Sequence, residues 1–149
     1  MKERIGSIIF FGLLFWLAFV FLFYAGLFVN YIEHHAIPIF FNQFFVESQY
    51  WWLWPFGIFL YGAVFMTEKK TKEKAAFFTL TLLLAMIPWV PGFGESIGRA
   101  LFAKEHVDYR FQRIEVKDAT LLFSSRGYDY VKVPGKKVTL RYPTANRVR

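Results

Sequence analysis

Three histidines, His34, His35 and His106, together with Glu33 and Asp108, are the residues best equipped to hold a metal ion, since imidazole nitrogens and carboxylate oxygens are its usual donors. Their spacing argues against that chemistry. Adjacent side chains diverge on a helix or a strand, whereas a helical zinc signature sets its two histidines four apart. The expectation is therefore no resident metal or other cofactor. Glu33, His34, His35 and His106 form the one set from which a site could assemble across the chain. Otherwise they are solvated histidines, able to gain charge at mildly acid pH.

Other reactive groups are similarly isolated. Ser96, Ser124 and Ser125 lie in no G-x-S-x-G elbow, and Glu115 and Asp118 border a strand and a turn, where solvated charge is the ordinary role. Gly92-Phe93-Gly94 is followed by Gly98, which misses the third glycine of a phosphate-binding turn, and it follows an apolar segment where such a turn needs a strand. The absence of cysteine removes disulfides, thiolate ligands and thiol nucleophiles. The run Arg126 to Val133 (RGYDYVKV) echoes the base-stacking strand of RNA-recognition domains, but Asp129 stands where a small residue belongs and Val133 where an aromatic belongs. No helices surround it. A nucleic-acid partner is set aside, and the chain reads as a non-enzyme.

Composition points to a bilayer. Of 149 residues 56% are hydrophobic and 22% aromatic, against roughly 45–50% apolar in a soluble domain. Ile5 to Val29 is uncharged for 25 residues, about 37 Å of helix, enough to cross a hydrocarbon core of about 30 Å. It exceeds the 7–15 residues of a signal-peptide core and lacks a clear small-residue cleavage site. Uncharged runs at 50–66 and 75–91 are shorter candidates, joined by the charged turn 67–74 (TEKKTKEK). The prediction is a membrane α+β chain: a transmembrane region over 1–91 with spans at about 5–29, 50–66 and 75–91, then a basic extramembrane unit over 92–149 reached through a short helix near Glu95–Lys104. Glycines 6, 12, 26, 57 and 62 make no G-x-x-x-G pair, so no specific packing motif is expected.

Basic flanks orient the spans. Met1 to Arg4 carries two Lys/Arg and the 67–74 turn four, while the loop 30–49 carries none, so the N-terminus and the turn should be cytoplasmic and residues 92–149 outside, periplasmic in a two-membrane bacterium. Trp51, Trp52, Trp54 and Trp89 then share the outer interface. Within the loop, Phe40, Phe41, Phe44 and Phe45 recur at helical spacing, the pattern of a short helix resting on the membrane or receiving a partner.

Beyond Pro91 the excess of positive charge accumulates, twelve Lys/Arg against six Asp/Glu. Alternation predicts an antiparallel meander of about four strands: a long strand through 107–116 with a bulge near Gln112, then strands at 121–124, 128–133 and 138–142. Turns are expected at Lys117-Asp118, Ser125-Arg126-Gly127 and Pro134-Gly135, with a loose tail from Pro143. About 40 residues hold a core poorly, so the unit should lean on the bilayer, a partner or another copy. Its Arg110, Arg113, Lys132, Lys136, Lys137 and Arg141 suit anionic headgroups or an acidic partner face. The uncharged spans make a poor transporter. The expected role is an accessory or assembly subunit of a larger envelope membrane complex, contacting it through the aromatic loop and the basic unit. The rival readings are a self-assembling membrane effector or immunity/exclusion protein and, more remotely, a metal-binding or enzymatic protein using His34 and His35.

Overall fold

A run of Ile, Leu, Phe and Ala without proline has nothing to stop a helix, and in the computed structural model, which describes residues 2–68, 71–110, 115–136 and 138–148, α1 occupies Lys2–Leu27. A π-helical turn, Phe28–Glu33, continues it without a break. Together, from Glu3 to Glu33, they make one helix long and apolar enough to cross a membrane. Only 11% of its most apolar stretch is buried, and Phe10, Leu14 and Phe21 face outward, unlike the core helix of a soluble domain. The loop that follows contains α2 (Phe41–Glu47); α3 spans Leu53–Met66 and α4 Thr71–Met86.

The helices meet through glycines. A Cβ at Gly12 would sit 1.9 Å from the Ile58 carbonyl oxygen and one at Gly62 would sit 2.0 Å from that of Ile8, so α1 and α3 run backbone to backbone. Gly57 lies flat against the Trp16 ring. The expectation of no specific packing motif is thereby corrected: the small residues are matched between two antiparallel helices, a relationship invisible to spacing within one. α4 adds aromatic contacts, with Phe15 and Phe78 at 4.6 Å and Tyr61 and Phe77 at 5.4 Å between centroids. Its helix does not run to Pro91. Pro88 and Pro91 withdraw two N–H donors, a single 3₁₀ turn (Ile87–Trp89) intervenes, and α5 (Pro91–Phe102) leaves at 87°.

Five strands follow: β1 (Lys104–Arg110), β2 (Glu115–Ser125), β3 (Tyr128–Lys132), β4 (Thr139–Pro143) and β5 (Arg147–Val148), antiparallel in the order β4-β3-β2-β1-β5. The α+β class holds. The single strand expected through 107–116 is two, since Arg110 of β1 pairs antiparallel with Glu115 of β2; the bulge expected near Gln112 lies outside the described residues. Lys117-Asp118 is no turn either. Asp118 and His106 both have left-handed backbones (φ 57° and 56°) inside β2 and β1, where register shifts absorb them. The other turns hold. Arg126 and Gly127 both have positive φ, the requirement of a two-residue hairpin, and the Lys136 N–H closes Pro134-Gly135 onto the Val133 carbonyl at 3.0 Å.

The tail expected to be loose closes the sheet. β4 and β5 are opposite edges, which in a flat sheet would lie about 19 Å apart. The chain from Pro143 to Arg147 passes through a 3₁₀ turn (Thr144–Asn146) and reaches at most about 15 Å. The sheet must curl into a partly closed barrel, and the Tyr109 ring of β1 accordingly meets Tyr142 of β4 at 5.4 Å. Tyr109, Ala119, Leu121 and Val131 fill its interior.

Candidate functional site

The barrel, too small to hold a core easily by itself, packs against the chain's own helices. A bulge after Leu121 flips the phase of β2, so that Leu122 and Phe123 join Tyr130 on the outer face, against Leu27, Tyr31, Ile32, Ile37 and Phe44. Phe44, Phe102 and Phe123 form a triangle with centroids 5.4–5.6 Å apart. The Tyr31 hydroxyl, fully buried, donates to the Leu122 carbonyl at 2.8 Å. Gly98 of α5 gives Tyr31 its room, since a Cβ there would lie 2.3 Å from the ring. Gln43 donates to Ser125 Oγ, Thr139 Oγ1 to the His35 carbonyl, and Arg126 pairs with Glu47 at 3.0 Å.

This corrects the exposed aromatic stripe. Phe44 is completely buried; Phe41 and Phe45 are partly buried against Phe21, Phe28 and Tyr24; of the four, Phe40 alone stands out, 80% exposed. Much of the helical face that sequence assigned to lipid or a partner is spent inside the molecule, because the first helix covers Phe41 and Phe45 and the barrel meets Phe44 through Phe123. Trp51 and Trp52 are exposed and Trp89 partly so, with the Trp89 indole donating to the Leu22 carbonyl at 3.0 Å; the Trp54 indole donates to Gln49 Oε1 at 3.3 Å.

His34 and His35 meet edge to face at 5.2 Å between centroids, while His106 pairs with Asp118 on the barrel. His34 faces Glu95 of α5 at 3.9 Å, which Arg99 also holds at 3.1 Å. His35 packs edge-on against Tyr31, and burial, reinforced by the neighbouring His34, holds its imidazole below the ordinary histidine range. His106 lies against Asp118, whose hydrogen bond and charge raise its pKa, and Asp118 N–H donates to Asp108 Oδ1 at 2.9 Å. Among the described residues no three His, Asp or Glu side chains converge as a metal site would require.

Of the basic candidates, Arg110 pairs with Glu115, and Arg141 stacks over Tyr128 at 3.6 Å. Lys132 and Lys136 are exposed at the barrel surface; Arg113 and Lys137 lie outside the described residues.

Sequence reasoning missed the hub of the barrel. Asp129 is fully buried and accepts hydrogen bonds from the hydroxyls of Tyr109 (2.8 Å), Ser124 (2.8 Å) and Thr144 (3.1 Å) and two from the Arg147 guanidinium. Burial alone would raise its pKa, but Arg147, Ser124 and Tyr109 outweigh that and hold the carboxyl below its usual range. The signal was there in phase: Asp129 shares the apolar side of its strand with Val131 and Val133, and an ionisable group in that position needs partners.

Two hollows adjoin this junction. An apolar cavity of about 310 Å³ is walled chiefly by Trp16, Phe19, Val20, Phe23, Leu53 and Trp54. A polar groove of about 350 Å³ lies between helices and barrel, with Glu47, Ser48, Lys104, Ser124 and Arg147 on its walls. Gln49, Tyr50 and Leu101 line both, so the two are neighbours. The Oγ of Ser48 and the Nε1 of Trp16 are buried without partners.

No protein-family model, curated protein or solved structure matches this chain.

Proposed function

We propose that this chain is a membrane-anchored, non-catalytic accessory or assembly subunit of a larger envelope complex, holding a small basic barrel at the outer face of the membrane. The observation that carries the reading is the shared core between anchor and barrel: Tyr31, Ile32 and Phe44 of the helical part have no exposed surface, and their partners are Leu122, Phe123 and Tyr130. A barrel on a flexible tether samples many orientations. One packed into its anchor presents fixed faces, as a scaffold must.

The anchor is three helices, α1, α3 and α4, with the N-terminus and the 67–74 turn in the cytoplasm. The bacterial inner membrane suits the basic flanks. α3 rises about 21 Å, less than a core of about 30 Å, so its span is completed by the Tyr50–Trp52 turn and local thinning of the bilayer. The near-perpendicular exit of α5, together with exposed Trp51, Trp52 and Phe93, supports an outer interface at that level. Lys132, Lys136 and Arg141 then face away from lipid toward an acidic partner surface.

Because the chain has no cysteine, single cysteines introduced at Glu68 and Val138 report topology by accessibility to a membrane-impermeant thiol reagent. Labelling of the second alone in intact cells is the expected result. A mild-detergent pull-down should recover other membrane proteins in fixed ratio, and the combined variant Lys132→Glu, Lys136→Glu and Arg141→Glu should lose them. Recovery of the chain alone, as a monomer or a defined homo-oligomer, overturns the subunit reading.

A further inference from the structure

We infer that the cavity beside α1 and the groove above it form one binding site for a bilayer phospholipid with an anionic headgroup. The inference rests on the membrane placement proposed above, and its argument is the match between the two halves of the site and the two halves of such a molecule. The cavity is walled by Trp16, Phe19, Val20, Phe23 and Leu53, which suit a hydrocarbon chain that brings no hydrogen bonds. Its volume, about 310 Å³, falls at the lower end of ligand sites. A chain there leaves Trp16 Nε1 as it is, without a partner.

At Gln49, Tyr50 and Leu101 the lining changes to that of the polar groove, where the charges are not balanced. Glu47 is neutralised by Arg126 and Arg147 by Asp129, which leaves the Lys104 ammonium as the net charge on the walls. Ser48 adds a hydroxyl with no partner of its own. A phosphodiester is the acceptor this set calls for: one negative charge facing Lys104, with hydroxyl and amide groups around it. The order of the lining, apolar from mid-helix upward and cationic where the barrel begins, is also the order of chain and headgroup in the outer leaflet of the proposed topology.

The test uses the full chain reconstituted in nanodiscs containing equal parts phosphatidylglycerol and phosphatidylcholine, then transferred to mild detergent and read by native mass spectrometry. One phosphatidylglycerol retained per chain is expected. Lys104→Glu, at an exposed position, should lower its retention about tenfold or more relative to phosphatidylcholine. Val20→Phe with Leu53→Phe should abolish retention of either lipid, with the chain still in the membrane fraction. The proposal is overturned by a membrane-embedded chain that retains no lipid, by equal retention of the two headgroups in wild type and Lys104→Glu, by retention of free fatty acid alone, or by a second copy of the chain in place of lipid. A chain recovered from the soluble fraction overturns the membrane placement itself, which separates that failure from the others.

Discussion

Asp129 and Arg147, eighteen residues apart, meet as a two-pronged ion pair in which the guanidinium donates through Nε and through a terminal nitrogen to both carboxylate oxygens, and Asp129 has no exposed surface. The pair joins β3 to β5, the two strands that flank β2 and β1 in the sheet, and so acts across the barrel instead of along a ladder. Bidentate geometry and the three additional hydroxyl donors satisfy the buried charge, which is the condition under which such a pair stabilises.

Removing one partner leaves the other charged and unsatisfied. Asp129→Ala should destabilise the barrel by about 3–5 kcal/mol, and the double variant Asp129→Ala with Arg147→Met by less than the two single changes together. Hydrogen exchange of the β1 and β5 amides reads this directly.

The same carboxyl sets an acid limit. Its pKa in the folded chain is lowered, so on acidification the unfolded chain takes up the proton first; the contribution to stability is complete above about pH 4 and is lost as pH falls through the folded value. Protection of the Arg147–Val148 strand should therefore collapse below pH 4 in wild type. Asp129→Asn should show no corresponding step, and an equal step in that variant would assign the acid limit to another group.

Tyr31→Phe keeps the ring against Gly98 and deletes only the hydroxyl that reaches Leu122. The buried carbonyl loses a donor, at a cost of about 1–3 kcal/mol, all of it in the docking of barrel to helices. Limited proteolysis should then cut near Ala103 faster than in wild type, with β-sheet circular dichroism unchanged.

Phe44→Ala and Phe40→Ala separate the buried and the exposed members of the aromatic loop. The first should cost about 3–5 kcal/mol and the second less than about 0.5 kcal/mol in thermal unfolding. Similar losses in both would mean that α2 does not pack as described.

Gly62→Val must push α3 away from the Ile8 carbonyl and should cost about 3 kcal/mol or more, whereas Gly92→Ala meets nothing within 4 Å and should be neutral or slightly stabilising. The contrast is measurable as detergent-resistant thermal stability of the two variants.

What the sequence made legible is what periodicity and charge encode locally. The uncharged run 5–29 predicted α1, and the pairs Arg126-Gly127 and Pro134-Gly135 the two later hairpins. The short helix expected over Glu95–Lys104 after a break at Gly92 and Gly94 instead starts at Pro91, takes in both glycines and ends at Phe102, because proline at the first helical position starts a helix as readily as it ends one. Position 118 misled because an aspartate in a left-handed conformation marks a turn as readily as it marks a bulge. The tail misled because Arg147 and Val148 make too short an element to carry a pattern, and its partner is β1, some forty residues earlier. The aromatic loop misled for a related reason. An apolar helical stripe states that it must be covered, and only the fold says by what.

The helix from Glu3 to Glu33 runs for 31 residues, about 46 Å, with the barrel bolted to its far end through Tyr31 and Ile32. In a bilayer such a shaft is a lever. Membrane helices tilt by about 20° on average and adjust that tilt to the local thickness of the lipid, and over this length 20° carries the tip roughly 15 Å sideways. With no slack at the joint, thickening or thinning of a surrounding membrane would be transmitted as displacement of the barrel.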